Sequence, residues 1–164
     1  MAGNKKPRKR YKPKPVLANP LAFAIEGAIP IHGDHLDEVH QREWDSWESL
    51  KSGKGTLKDW QTIVDCNNIA QTMAGMGIGK LEVMPVCHEV EQEMLEAAAR
   101  FQRTKRMGLT GLGIQQIKDL LEYHHLQRTA VARRVYEEAI RLTVARIKNG
   151  HCTIDLNQTL EMQP

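Results

Sequence analysis

The chain has 164 residues, 41% hydrophobic and 26% charged, enough for one folded domain of ordinary size and too short for two full ones. Its net charge is only +3, and no apolar run approaches the roughly 20 residues that span a bilayer, so a membrane-spanning protein is excluded. With two Phe, three Tyr and three Trp, the core must come mainly from Leu, Ile, Val, Met and Ala, which suits packed helices better than a β-sandwich.

The small net charge hides a segregation. Residues 1–15 carry Lys5, Lys6, Arg8, Lys9, Arg10, Lys12 and Lys14 and no acid, a charge of +7. The other 149 residues keep sixteen of the 23 basic side chains against all 20 acidic ones, a charge of −4. Pro7, Pro13 and Pro15 remove backbone donors and favour extended geometry, so this segment reads as an extended basic arm. Seven cations on such an arm can follow a phosphate backbone and release its counterions, and Tyr11 among them can stack on an exposed base. DNA or RNA is therefore the first expected partner. An acidic protein surface is the second, and a merely solubilising segment is the bland reading. The basic start has no apolar stretch of the secretory kind, so the expected location is the cytoplasm.

Residues 16–31, VLANPLAFAIEGAIPI, are apolar, and Asn19-Pro20 is a suitable helix start, with a short helix expected over Leu21 to Glu26. Asp34 is positioned to cap the next helix, in which Leu36, Val39, His40, Trp47 and Leu50 return at helical spacing and Trp44 and Trp47 border one face. KSGKG, residues 51–55, is a loop. Thr56-Leu57-Lys58-Asp59 resembles a capping box and opens a helix whose apolar stripe is Leu57, Trp60, Ile63, Val64, Ile69, Ala70 and Met73. Gly75, Gly77 and Gly79 end it.

Leu81 to Met84 reads as a brief turn before Pro85, and Val86, Val90, Met94, Ala98 and Phe101 describe a long helix closing on the basic run Arg100 to Arg106. After a loop at Thr110 to Gly113, the stripe Ile117, Leu120, Leu121, His124, Arg128, Val131, Val135, Ala139 and Leu142 is one helix, or two with a break near Arg128 to Ala132. The last segment is turn-like, then weakly strand-like at Thr153 to Leu156, and is treated as a tail. The expectation is an all-α bundle of four to six helices, with residues 1–15 as arm, 16–150 as a single helical domain and 151–164 as tail.

Familiar chemical motifs are approached and missed. Ala74-Gly75-Met76-Gly77-Ile78-Gly79-Lys80-Leu81 lacks the opening glycine and the hydroxyl of a phosphate-binding loop, and a helix precedes it instead of a strand. His88-Glu89-Val90-Glu91-Gln92 lacks the second histidine of a zinc-protease helix. His32, Asp34, His35, Asp37, Glu38 and His40 are possible ligands at a spacing that matches no closed metal site, so no metal is assigned. Cys66, Cys87 and Cys152 are three, far apart, and form neither a disulfide framework nor a CxxC pair; Cys66 and Cys87 are expected in the core of a protein from a reducing compartment. His124 is expected at the core edge, and no cofactor or catalytic constellation is assigned. A second basic group comprises Arg100, Arg103, Lys105 and Arg106 with Arg128, Arg133, Arg134, Arg141, Arg146 and Lys148; it reads as a charged helix surface in which Glu137 and Glu138 pair with Arg134 and Arg141, or as a second phosphate contact.

The opening Lys5-Lys6-Pro7-Arg8-Lys9-Arg10-Tyr11-Lys12-Pro13-Lys14-Pro15, followed by Asn19-Pro20-Leu21, resembles the start of small helical proteins encoded by bacteriophages and prophages. The resemblance implies a bacterial cytoplasm and a phage setting, and supplies no catalytic residue. Together these readings predict a non-enzymatic nucleic-acid-binding accessory protein, whose body oligomerises or holds a second partner. The alternative is a protein-binding modulator of a host factor, with the arm on an acidic protein surface.

Overall fold

The structure, a computed structural model of the chain, describes residues 34–151 and residue 154, and of Asp34 and His35 only the backbone. The basic arm, the expected helix over Leu21 to Glu26, and the capping side chain of Asp34 lie outside the described residues. Those described form five helices and no strand: α1 (Asp34–Lys51), α2 (Leu57–Gly75), α3 (Lys80–Thr104), α4 (Gly111–Thr129) and α5 (Arg133–Lys148). The all-α bundle is as expected. None of these helices is long and apolar enough to cross a membrane.

Local chemistry sets the ends of each helix. Thr56 caps α2 with a full capping box: its Oγ1 accepts from the Asp59 N–H (3.2 Å), and Asp59 Oδ2 accepts from the Thr56 N–H (2.8 Å). Gly77 and Gly79 turn the chain after α2 at φ of 93° and 67°, left-handed backbone that glycine adopts without a Cβ clash. The glycine run is thus a helix-terminating turn and not a phosphate loop. Thr110 caps α4 by accepting from the Gly113 N–H (2.9 Å).

One expectation is corrected, and of two alternatives left open for the last stripe the two-helix one is found. Leu81 to Met84 is not a turn before Pro85, because α3 already begins at Lys80 and contains Pro85. The proline removes only its own N–H from the helix, at a stage where the chain is still at the surface, with Leu81 84% exposed. The last stripe is two helices, separated where the chain turns between Thr129 and Arg133.

The central helix is α2, which packs against all four others, while α5 packs mainly on α2. Trp60, Ile63, Met73, Val90, Met94, Ile117, Leu120 and Leu121 are fully buried in the core. Each buried aliphatic side chain of this size contributes roughly 1.5–3 kcal/mol relative to exposure. The two buried indoles keep their N–H groups satisfied across helices: Trp60 Nε1 donates to the Met94 carbonyl (2.9 Å) and Trp47 Nε1 to the Ile114 carbonyl (3.0 Å). Leu57, assigned to the α2 stripe by its spacing, is instead exposed, as the first residue of α2 at the edge of an open cleft. An isolated antiparallel bridge between Gly55 and Met107 ties the loop before α2 to the loop after α3.

Candidate functional site

Lys5, Lys6, Arg8, Lys9, Arg10, Tyr11, Lys12 and Lys14, the residues expected to contact nucleic acid, all lie outside the described residues. What the described residues do assemble is a buried polar cluster where α1, α2, α4 and α5 meet. Helix α1 brings Glu43 and His40 to it, α2 brings Cys66, α4 brings His124, Gln127 and Arg128, and α5 brings Tyr136.

Arg128 and Glu43 form a two-pronged ion pair, Nη1 to Oε1 at 2.9 Å and Nη2 to Oε2 at 2.7 Å, with side chains 1% and 6% exposed. Burial pushes the Glu43 carboxyl up and Arg128 opposes this; burial is also the largest influence on the Arg128 cation and disfavours it, but the hydrogen bonds and charge of Glu43, with Cys66 and Tyr136, together push it up. The two-pronged geometry is that of a carboxylate facing a guanidinium. His40 faces the same guanidinium, and burial, His125 and Arg128 push its basicity down. Trp44 Nε1 donates to His40 Nε2 (3.1 Å), so neutral His40 carries its proton on Nδ1. The 3.4 Å approach of Arg128 Nη2 to that Nδ1 is then a contact between two donors.

The protonation of His124 is fixed by a neighbour. Gln127 Nε2 donates to the carbonyls of Ile78 (2.7 Å) and Ala70 (3.3 Å), which turns Gln127 Oε1 toward His124 Nδ1 at 3.2 Å. Nδ1 must therefore carry the proton, and Nε2 is left as a bare lone pair with no hydrogen-bond partner in a residue of 0% exposure. Burial, with Arg128 beside it, pushes the imidazole down to about 3, so it is neutral. Cys66 is also buried, a free thiol pushed well above its ordinary value by burial and then by Glu43. Both are inert as acid–base groups near neutral pH, and neither is a nucleophile. Glu43, Cys66 and His124 nevertheless offer three ligand atoms within 4.8 Å of one another.

A cleft of about 610 Å³ runs from this cluster to the surface between α1, α2 and α5, lined by Glu43, Cys66 and Tyr136 together with Arg42, Lys58 and Asp65. Its size is that of a small-ligand pocket.

Of the His32 to His40 group, His32 and the side chains of Asp34 and His35 lie outside the described residues, and His40 turns toward Trp44 and His125 (ring centroids 6.0 and 4.2 Å) while Asp37 and Glu38 stay exposed. The second basic group divides. Arg128 is no surface cation, because its position on the apolar stripe of α4 carries it into the core. Arg100 donates to Glu93 (2.8 Å) and the Gly108 carbonyl (3.0 Å), and Arg146 to Thr72 (2.8 Å) and Gln71 (2.6 Å), so both are turned inward. On α5, Arg141 pairs with Glu138 as expected, whereas Glu137 pairs with Arg133 (2.8 Å) rather than Arg134. Arg103, Lys105 and Arg106 remain exposed at the end of α3 and just after it, and Lys54 is exposed in the loop that the Gly55–Met107 bridge ties to that segment. These four form no ion pair among the described residues. His88 and Glu89 are exposed on α3, and Cys66 and Cys87 are buried, as expected.

Compared with known proteins, the chain matches no family model, no curated protein and no solved structure.

Proposed function

We propose that this chain binds nucleic acid and catalyses no reaction. Lys5, Lys6, Arg8, Lys9, Arg10, Lys12 and Lys14 contact phosphates, Tyr11 stacks on an exposed base, and the helical body provides self-association or a second contact. The observation that carries the reading is the charge segregation, +7 over residues 1–15 against −4 over the rest. Such a separation is far from what mixing the same charges along the chain would give. Support comes from the exposed cations Arg103, Lys105 and Arg106 at the end of α3, with Lys54 exposed in the loop bridged to the segment that follows them. A polyanion held by the arm can meet this second basic patch. The likeness of residues 5–21 to phage-encoded proteins fits an accessory role in a phage-infected bacterial cytoplasm.

Fluorescence anisotropy with labelled single- and double-stranded DNA and RNA tests the reading on the full chain and on a chain lacking residues 1–15. The full chain is expected to bind at low salt, and the shortened chain to lose at least tenfold in affinity. Equal binding by both chains, or none by either, rejects the arm as the binding element.

A second reading has its own observation. Ile140 and Val144, one turn apart on α5, are 38% and 44% exposed. They give α5 an uncovered apolar face suited to a protein partner, as the alternative of a host-factor modulator with its arm on acidic protein requires. An apolar interface of that kind is far less sensitive to salt than a phosphate contact.

A further inference from the structure

We propose that Glu43, Cys66 and His124 form a zinc site, reached by solvent through the cleft between α1, α2 and α5. Their ligand atoms lie within 4.8 Å of one another, and all three residues are buried. Tetrahedral zinc holds its sulfur, nitrogen and oxygen ligands about 3.4–3.6 Å apart, so the site must contract by about 1 Å, a side-chain adjustment that leaves the helices in place. Imidazole, thiolate and carboxylate together suit zinc better than magnesium or calcium, which take oxygen ligands.

The second and independent observation is the state of His124. Its Nε2 lone pair is bare and without a partner in a fully buried ring, an arrangement that forfeits a hydrogen bond in an apo protein. The opposite nitrogen donates to Gln127 Oε1, whose amide is anchored on two backbone carbonyls. Zinc-binding histidines are held in this way, one nitrogen donating to an oxygen and the other presented to the metal.

Arg128 does not exclude the ion. A carboxylate has about four lone-pair directions, and the two bonds from Arg128 use two of them, so Glu43 can hold the guanidinium and ligate at once. On binding, the Cys66 thiol proton leaves to solvent and the sulfur–zinc bond forms. The charge of the cluster then rises by one, the ion's two positive charges being offset by one thiolate. The cleft lined by Glu43, Cys66 and Tyr136 supplies water to the fourth position. The site is therefore of the open kind.

Titration of the metal-stripped full chain with cobalt(II) tests the proposal, since cobalt reports a sulfur ligand by thiolate-to-metal charge-transfer absorption and tetrahedral geometry by intense visible bands. Both features are expected at one equivalent, with both abolished by excess zinc. Cys66→Ser is expected to remove the charge-transfer band and lower affinity at least tenfold, while Cys87→Ala and Cys152→Ala keep the band. Cadmium-113 resonance of the unsubstituted chain, which needs no variant to fold, is expected in the range for a single sulfur with nitrogen and oxygen. Absence of a thiolate band in the full chain, its survival in Cys66→Ser, its loss only in Cys152→Ala, or a cadmium shift without sulfur would each overturn the proposal.

Discussion

Arg128 and Glu43 tie α4 to α1 through a pair of charges that have left water almost completely. Such a pair contributes little net stability relative to apolar residues of the same volume, but removing one member strands the other in the core, at a cost of about 3–5 kcal/mol. Urea denaturation is therefore expected to show Glu43→Gln and Arg128→Met each destabilised by that amount, and the combined Glu43→Leu, Arg128→Met chain recovering most of it. Additive losses in the combined variant would mean the two side chains act separately. His124 gives the metal-free protein a second test at this scale. Its basicity is about 3 in the fold, against 6.5 when exposed, so the unfolded chain binds the extra proton first. Stability is full above about pH 6.5 and falls, by several kcal/mol in all, as the pH drops from there toward 3. The groups facing the ring are Arg128, Gln127, His125, His40 and Tyr136, with the Glu43 carboxylate and the Cys66 thiol within 4.8 Å, and burial with the neighbouring Arg128 sets the direction of the shift. His124→Phe is expected to flatten this pH dependence in a thermal-melt series, whereas an unchanged profile would place the titrating group elsewhere. Part of the cluster was legible in advance. Glu43 falls between His40 and Trp47 on the α1 stripe, and Arg128 one turn after His124 on the α4 stripe, so opposite charges occupy core-facing positions of two helices. What spacing along one helix cannot show is which helices meet, and so Arg128 reads as surface charge and Glu43 goes unremarked.

Among the helices, caps and close approaches govern stability. Thr56→Ala removes the side-chain half of the α2 capping box, the Oγ1 that accepts from the Asp59 N–H, and leaves the backbone N–H bond to Asp59; it is expected to cost about 1 kcal/mol, measured by chemical denaturation. Gly113 is more demanding, because a Cβ there would stand 2.2 Å from Glu93 Cδ. Glu93 cannot yield freely, since it accepts from the Thr110 N–H (2.8 Å) and hydroxyl (2.7 Å) as well as from Arg100. Gly113→Ala is expected to cost about 2–3 kcal/mol, and a loss under about 0.5 kcal/mol would show that Glu93 does not hold the start of α4. The helices themselves were legible from their periodicity and from Thr56, Thr110 and the glycine turn. The start of α3 was not. Proline is a strong local signal for a boundary, yet here burial of Val83 and Cys87 on either side of Pro85 continues the helix through it.

Over the whole molecule, the separation of charge outweighs any single contact. The first fifteen residues concentrate seven cations, the rest of the chain is mildly acidic, and the exposed cations of the body are spread over its helices, Arg103, Lys105 and Arg106 at the end of α3 among them. This organisation was legible in composition alone, because charge segregation needs no tertiary structure to be seen. The pairing of the loop at Gly55 with the loop at Met107 was hidden, since the two lie 52 residues apart in sequence. The most direct measurement is the salt dependence of the equilibrium affinity of the full chain for duplex and single-stranded nucleic acid. Seven phosphate contacts predict a slope of log K against log salt of about −6 on duplex DNA and about −5 on a single strand, with most of the slope lost when residues 1–15 are removed. A slope near zero, or one unchanged by that removal, would contradict a phosphate-binding arm.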